Sequence, residues 1–87
     1  MAIKYYTESQ VMTLVDNNYN YARPQIFDFR VIEVKEEWQI YFSTPHYSEC
    51  TVRTKRETDV IRTFSRLNGV EQFLKKIGVK EFKVIIC

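Results

Sequence analysis

Two runs of alternating apolar and polar residues, separated by a charged turn, constrain the fold of this chain most strongly. The first run, IFDFRVIEV, alternates as far as Val31, and the alternation breaks at Ile32. The second run, WQIYFST, places Trp38, Ile40 and Phe42 on one face. Period-two alternation is typical of half-buried strands. The runs therefore predict an antiparallel hairpin, with a bulge near Ile32 or a strand that is covered there on both faces.

Two other segments carry the apolar spacing and end signals of helices. A capping box that begins at Thr7 precedes an apolar stripe and predicts a helix over about residues 7–17. Asn68 has the side chain of an N-cap, and the stripe that follows predicts a second helix over residues 69–77. Gly78 is the C′ residue expected after this helix.

Three further segments complete the predicted order of elements. CTVRTKR, residues 50–56, alternates again and predicts a strand, and VKEFKVIIC, residues 79–87, predicts a terminal strand. Residues 58–67 fit both a helical spacing and a β-branched strand. The Asn-Gly pair that follows interrupts helical continuity, so we favour a strand over residues 60–65.

The elements together predict one α+β domain over residues 1–87. Its order is α-β-β-β-β-α-β, with two helices on a mainly antiparallel sheet of four to five strands. The chain is 45% hydrophobic and 28% charged, a composition typical of a folded domain and unlike that of disordered chains. No apolar run has the length of a membrane span, and the first residues lack the apolar core of a signal peptide. We therefore expect a cytoplasmic protein with no membrane partner.

Residues capable of catalysis or metal binding are few. Cys50 and Cys87 lie far apart in the sequence, and His46 is the only histidine. A zinc site takes about four such ligands, so we expect neither a metal nor another cofactor. No motif pairs Cys50 with a base. The sequence thus predicts a non-enzymatic protein without catalytic residues or a small-molecule substrate.

Basic residues are concentrated in the second half of the chain. Residues 1–44 carry four Lys/Arg and six Asp/Glu, whereas residues 45–87 carry nine Lys/Arg and five Asp/Glu. This asymmetry indicates an anionic partner. A basic β-hairpin is one known geometry for reading a DNA groove. The candidate DNA-binding residues are Arg53, Lys55, Arg56 and Arg62. The same alternation of Lys and Arg is also typical of a solvated hairpin with no binding role.

A second hypothesis uses the tyrosines. Six Tyr residues occur in the chain, and two of them lie in the loop NNYNYARPQ. Tyr and Arg are frequent hot-spot residues of protein interfaces, and loops carry function more often than scaffolds do. Tyr19, Tyr21 and Arg23 are therefore candidate contacts for a protein partner or a second copy of the chain. Alternatively, the tyrosine rings pack at the rim of the hydrophobic core and bind no partner.

A pattern in residues 50–86 resembles the C-terminal half of small accessory proteins of bacterial plasmids and integrated elements. Its positions are Arg62, Phe64, Leu67, Val70, Phe73, Leu74, Gly78, Val79, Phe82 and Val84. Some of these proteins are described as ParC-like and associated with partition. The resemblance implies a binding module from a mobile element. It implies no catalytic residue.

Overall fold

The fold consists of two helices and a six-stranded sheet, in the order β-α-β-β-β-β-α-β. The computed structural model describes residues 3–20, 23–54, 56 and 60–86, apart from the Tyr19 side chain. The elements are β1 (Lys4–Tyr6), α1 (Glu8–Asn20), β2 (Phe27–Val34), β3 (Glu37–Ser43), β4 (Cys50–Val52), β5 (Thr63–Phe64), α2 (Leu67–Ile77) and β6 (Lys83–Ile85). The α+β class and the two helices are as predicted.

The predicted hairpin is present as β2 and β3. Their antiparallel register runs from Val34 opposite Glu37 to Phe27 opposite Ser43. The connecting residues Lys35 and Glu36 have φ values of 52° and 66°. Positive φ at both central residues is the requirement of a type I′ turn, whose twist matches that of paired strands.

The irregularity in β2 lies earlier than predicted. The register shifts between Phe27 and Arg30, and Asp28 has a φ of 58°. Ile32, by contrast, continues the ladder opposite Gln39. Ile32 is half-buried and lies on the face of the sheet opposite to that of the core residue Val31. The expected bulge near Ile32 is therefore wrong in position.

The sheet is mixed, with more strands than predicted. Its strand order is β1-β4-β3-β2-β6, and β5 pairs with β3 beside β4. The β1–β4 and β2–β6 pairs are parallel, whereas the central pairs are antiparallel. The prediction of a mainly antiparallel sheet missed β1, because a strand of three residues next to a helix cap carries almost no alternation signal.

Both helices cover the same face of the sheet. The β1-α1-β2 and β5-α2-β6 connections join parallel strands and cross the sheet in the same direction. Such crossovers are right-handed in nearly all proteins, which places both helices on one side. Side chains from α1, α2 and the sheet then form one core: Val11, Val15, Ile26, Val31, Ile40, Phe42, Cys50, Val52, Val70, Phe73, Leu74, Ile77 and Val79.

Helix α1 begins as the sequence predicts and ends later. Thr7 Oγ1 accepts a hydrogen bond from the Gln10 N–H at 3.2 Å, and Gln10 Oε1 accepts one from the Thr7 N–H at 2.8 Å. The capping box is thus confirmed. The helix continues to Asn20 rather than ending near residue 17. Asn18 does not terminate it, because its amide group bonds to the returning loop at Ile26.

Helix α2 begins two residues before its predicted start. Leu67 is its first residue and Arg66 its N-cap, so Asn68 lies inside the first turn. Gly78 ends the helix in the left-handed region, with a φ of 95°, as predicted. The sequence pattern of residues 58–67 fits both a helix and a strand. In the structure, residues 63–64 of this segment form β5. Leu67, at its end, already belongs to α2.

No helix in the described residues is long and apolar enough to cross a membrane.

Candidate nucleic-acid interface

The two extended segments that carry Arg53 and Arg62 are neighbours. Arg53 forms an antiparallel bridge with Ile61, and the Arg62 N–H donates to the Val52 carbonyl at 2.8 Å. Because side chains alternate along extended segments, Arg53 shares the face of Ile61 and Arg62 projects toward the helices. The two side chains therefore start from opposite faces of the sheet.

The remaining predicted basic residues contribute less to the described surface. Arg56 is exposed. Lys55 lies outside the described residues. Arg53 is half-buried, and its guanidinium donates to the Thr54 carbonyl at 3.2 Å. Among the described residues of the hairpin tip, Arg56 is thus the exposed cation.

Arg62 is held against two aromatic rings. Its guanidinium carbon lies 5.0 Å from the ring centroid of Phe64 and 4.8 Å from that of Phe73. The two rings are themselves 5.4 Å apart. Arginine is attracted to ring faces at such distances. The rings therefore orient a cation that remains 36% exposed.

Glu8 links this arginine to helix α2. Its carboxylate lies 3.6 Å from an Arg62 guanidinium nitrogen and 3.0 Å from Lys76 Nζ. The Glu8 side chain is 16% exposed, whereas that of Lys76 is 67% exposed. Glu8 also begins α1, where a carboxylate favours the positive end of the helix dipole. One acid thus holds two cations from distant parts of the sequence.

These side chains border a groove, which we call the basic groove, of about 640 Å³. Its lining residues are Glu8, Arg53, Thr54, Arg62, Phe64, Gly69, Gln72, Phe73 and Lys76. Three cations and one carboxylate are among them. Arg53 and Arg62 start from opposite faces of the sheet, and both are among the lining residues. The arrangement can accept an anionic group beside Arg62.

Sequence reasoning missed Lys76 and Glu8 as members of this site. Lys76 lies in the last turn of α2 and Glu8 in the first turn of α1. Their proximity arises only from the packing of α1 beside α2, so no local pattern signals it.

Residues 17–20 of the tyrosine-rich segment belong to the end of helix α1. The Tyr19 side chain and the whole of Tyr21 are not among the described residues. Arg23 is exposed. The loop returns to the core through Asn18, whose Oδ1 accepts the N–H groups of Gln25 at 2.5 Å and Ile26 at 3.1 Å. This side chain anchors the loop, a role that no local sequence pattern indicates.

Cys50 is unsuited to nucleophilic chemistry. It is a fully buried free thiol, and burial raises its pKa above the ordinary value of 9.0. The thiolate, which is the reactive form, is therefore rare at neutral pH. His46 is exposed, and Cys87 lies outside the described residues. Across the parts of the chain that are described, no group of three His, Cys, Asp or Glu side chains could hold a metal ion.

Comparison of the chain with protein-family models, with curated proteins and with solved structures found no match.

Proposed function

We propose that this protein is a non-enzymatic cytoplasmic module that binds DNA through the basic groove. The observation that carries the proposal is the convergence of Arg53, Arg62 and Lys76 on one groove with a single carboxylate among its lining residues. Phosphate groups are the anions that such clusters of Lys and Arg neutralise, and release of their counterions drives binding.

The surroundings of the groove support an extended anionic partner rather than a small anion. Residues 50–80 include eight Lys/Arg and three Asp/Glu, a net charge of +5. Arg56 and Arg66, which precede and follow β5 in the sequence, are both exposed. A field of this sign around the groove steers a polyanion toward it and is screened by salt.

Arg62 and Lys76 have different roles in this proposal. Arg62 is already oriented by Phe64 and Phe73, so little side-chain entropy is lost when it meets a phosphate. Lys76 is mobile on its long stem, and its exposed ammonium exchanges Glu8 for a phosphate oxygen. Side-chain contacts of this kind to the DNA phosphate backbone position a protein on DNA without selecting a base sequence.

The test is the binding of a fluorescently labelled DNA duplex, followed by anisotropy across a series of salt concentrations. Lys76→Gln should reduce the slope of log K against log salt by about 0.9 for the phosphate contact that it removes. Lys75→Gln is the matched control, because Lys75 is next in sequence but pairs with Glu71 outside the groove. Absence of binding at low salt, or equal effects of the two variants, would refute the proposal.

The protein-interaction hypothesis based on Tyr19, Tyr21 and Arg23 stays a prediction. Its support in the structure is the exposure of Arg23. The basic groove is the more complete site, so DNA binding is favoured. The resemblance to ParC-like accessory proteins suggests a plasmid or mobile-element setting for this activity.

A further inference from the structure

The outer side of α2 carries two amide side chains, Asn68 and Gln72, which we call the amide face. These residues are four positions apart, so their side chains lie one above the other on the helix. Both are exposed. With 3.6 residues per turn, the amide face is centred opposite the stripe that packs in the core. The buried residues of that stripe are Val70, Phe73, Leu74 and Ile77.

The amide groups of this face are not used to hold the fold together. In the part of the chain that the structure describes, neither side chain donates or accepts a hydrogen bond within the protein. Each carboxamide has two N–H donors and one acceptor oxygen on a single planar group. The amide face therefore presents two complete donor–acceptor groups to a partner.

The charges beside the amide face favour an anionic partner on one flank. On this flank, Arg62 and Lys76 line the basic groove, and Gln72 lines it as well. On the opposite flank, Lys75 pairs with Glu71 at 3.0 Å. The amide face thus has the basic groove along one side and a neutralised ion pair along the other. A phosphate held in the basic groove would lie beside the two amides.

We propose that the amide face contacts adenine bases in the major groove of duplex DNA, while the basic groove holds a phosphate of the same duplex. Base reading of this kind rests on the proposed DNA binding and adds the residues that select a sequence. The major groove of B-DNA admits an α-helix, and Asn and Gln bond in bidentate fashion to N6 and N7 of adenine there. Phosphate contacts position a protein on DNA, whereas base contacts specify the sequence.

The spacing along α2 determines which base pairs the two amides reach. Four residues of an α-helix rise by about 6 Å, whereas consecutive base pairs are separated by about 3.4 Å. Asn68 and Gln72 therefore reach base pairs one or two steps apart when the helix follows the groove. The ion pair of α1 with α2 joins Glu8 to Lys76 on the flank of the helix, and both amide residues stay exposed.

The experiment is the selection of binding sites by the full chain from a library of randomised DNA duplexes. Adenine should be enriched at one or two positions within three consecutive base pairs. Anisotropy then compares the selected duplex with a duplex that carries a G·C pair at an enriched position. The wild type should bind the selected duplex about tenfold more tightly, as expected for one bidentate contact.

Substitutions on α2 test which side chains read the bases. Asn68→Ala and Gln72→Ala should each lose the discrimination at one enriched position. Both place a stronger helix former at an exposed site, so the variants should fold. Gln72→Arg should change the preferred base from adenine to guanine, because Arg bonds in bidentate fashion to O6 and N7 of guanine. Asn20→Ala is the matched control, since it removes an exposed amide from α1 and should leave the discrimination unchanged.

The outcomes separate base reading from the proposed phosphate binding. Lys76→Gln should reduce the salt dependence and keep the base preference, because it removes only a phosphate contact. Salt-dependent duplex binding with no enriched base would overturn base reading and leave the basic groove as the DNA site. Discrimination that persists in both Asn68→Ala and Gln72→Ala would do the same. Absence of duplex binding at low salt would overturn both proposals.

Discussion

Replacement of Glu8 by Gln should change stability and DNA affinity in opposite directions. Glu8 lies within ion-pair distance of Lys76 and Arg62 and occupies the first turn of α1. Its carboxylate stabilises the fold through these contacts. It also competes with phosphate for the same two cations. Gln has nearly the same shape, so the variant removes the charge and leaves the packing unchanged.

The cost in stability follows from the exposure of the partners. Lys76 is two-thirds exposed and Arg62 about one-third, so solvent screens both pairs. Ion pairs of this kind contribute about 0.2–1 kcal/mol each, and an acid in the first helical turn contributes about 0.3–1 kcal/mol. The free energy of unfolding should therefore fall by about 1–2 kcal/mol, measured by urea denaturation.

The gain in affinity follows from the removal of one negative charge from the basic groove. A phosphate about 7 Å from Glu8 is repelled by about 2.4 kcal/mol at an effective dielectric of about 20, and screening at about 0.1 M salt roughly halves this repulsion to about 1 kcal/mol. Glu8→Gln should therefore bind the DNA duplex about fivefold more tightly at about 0.1 M salt, measured by anisotropy. Glu71→Gln is the control, because Glu71 pairs with Lys75 outside the basic groove. A folded Glu8→Gln variant with unchanged or weaker DNA binding would refute the assignment of this groove.

Two further predictions concern the fold. Asn18→Ala should lower the free energy of unfolding by about 2 kcal/mol, because three hydrogen bonds to the backbone of the following loop are lost. Asn20→Ala, which removes one exposed bond, should change it by less than about 0.5 kcal/mol in the same urea assay. Burial raises the pKa of Cys50 above 9.0 and that of Tyr6 above 10.0. Ionisation is then easier in the unfolded chain, so the contribution of these two groups to stability should be constant below about pH 9 and fall as pH rises further. Cys50→Ala should delay this fall, and a urea midpoint that stays constant to about pH 11 would contradict it.

Sequence patterns were sufficient to predict those elements whose signals lie within a short stretch of the chain. The hairpin of β2 and β3 follows from side-chain alternation around a two-residue turn, and each paired residue lies close to its partner in sequence. The capping box at Thr7 and the left-handed Gly78 involve hydrogen bonds within five residues. The core stripe of α2 was likewise predicted, because a period of 3.6 residues is visible in any short window.

The tertiary structure alone decided which strands pair and which charges meet. The parallel partners of β1 and β6 depend on two helical crossovers, and a strand of three residues does not encode its neighbour. Glu8 and Lys76 are 68 positions apart in the sequence, yet their charged atoms lie 3.0 Å apart. The signals at the helix ends predict that Glu8 lies on one helix and Lys76 on the other. Only the packing of α1 beside α2 brought the two together, because a contact between distant segments depends on the whole fold.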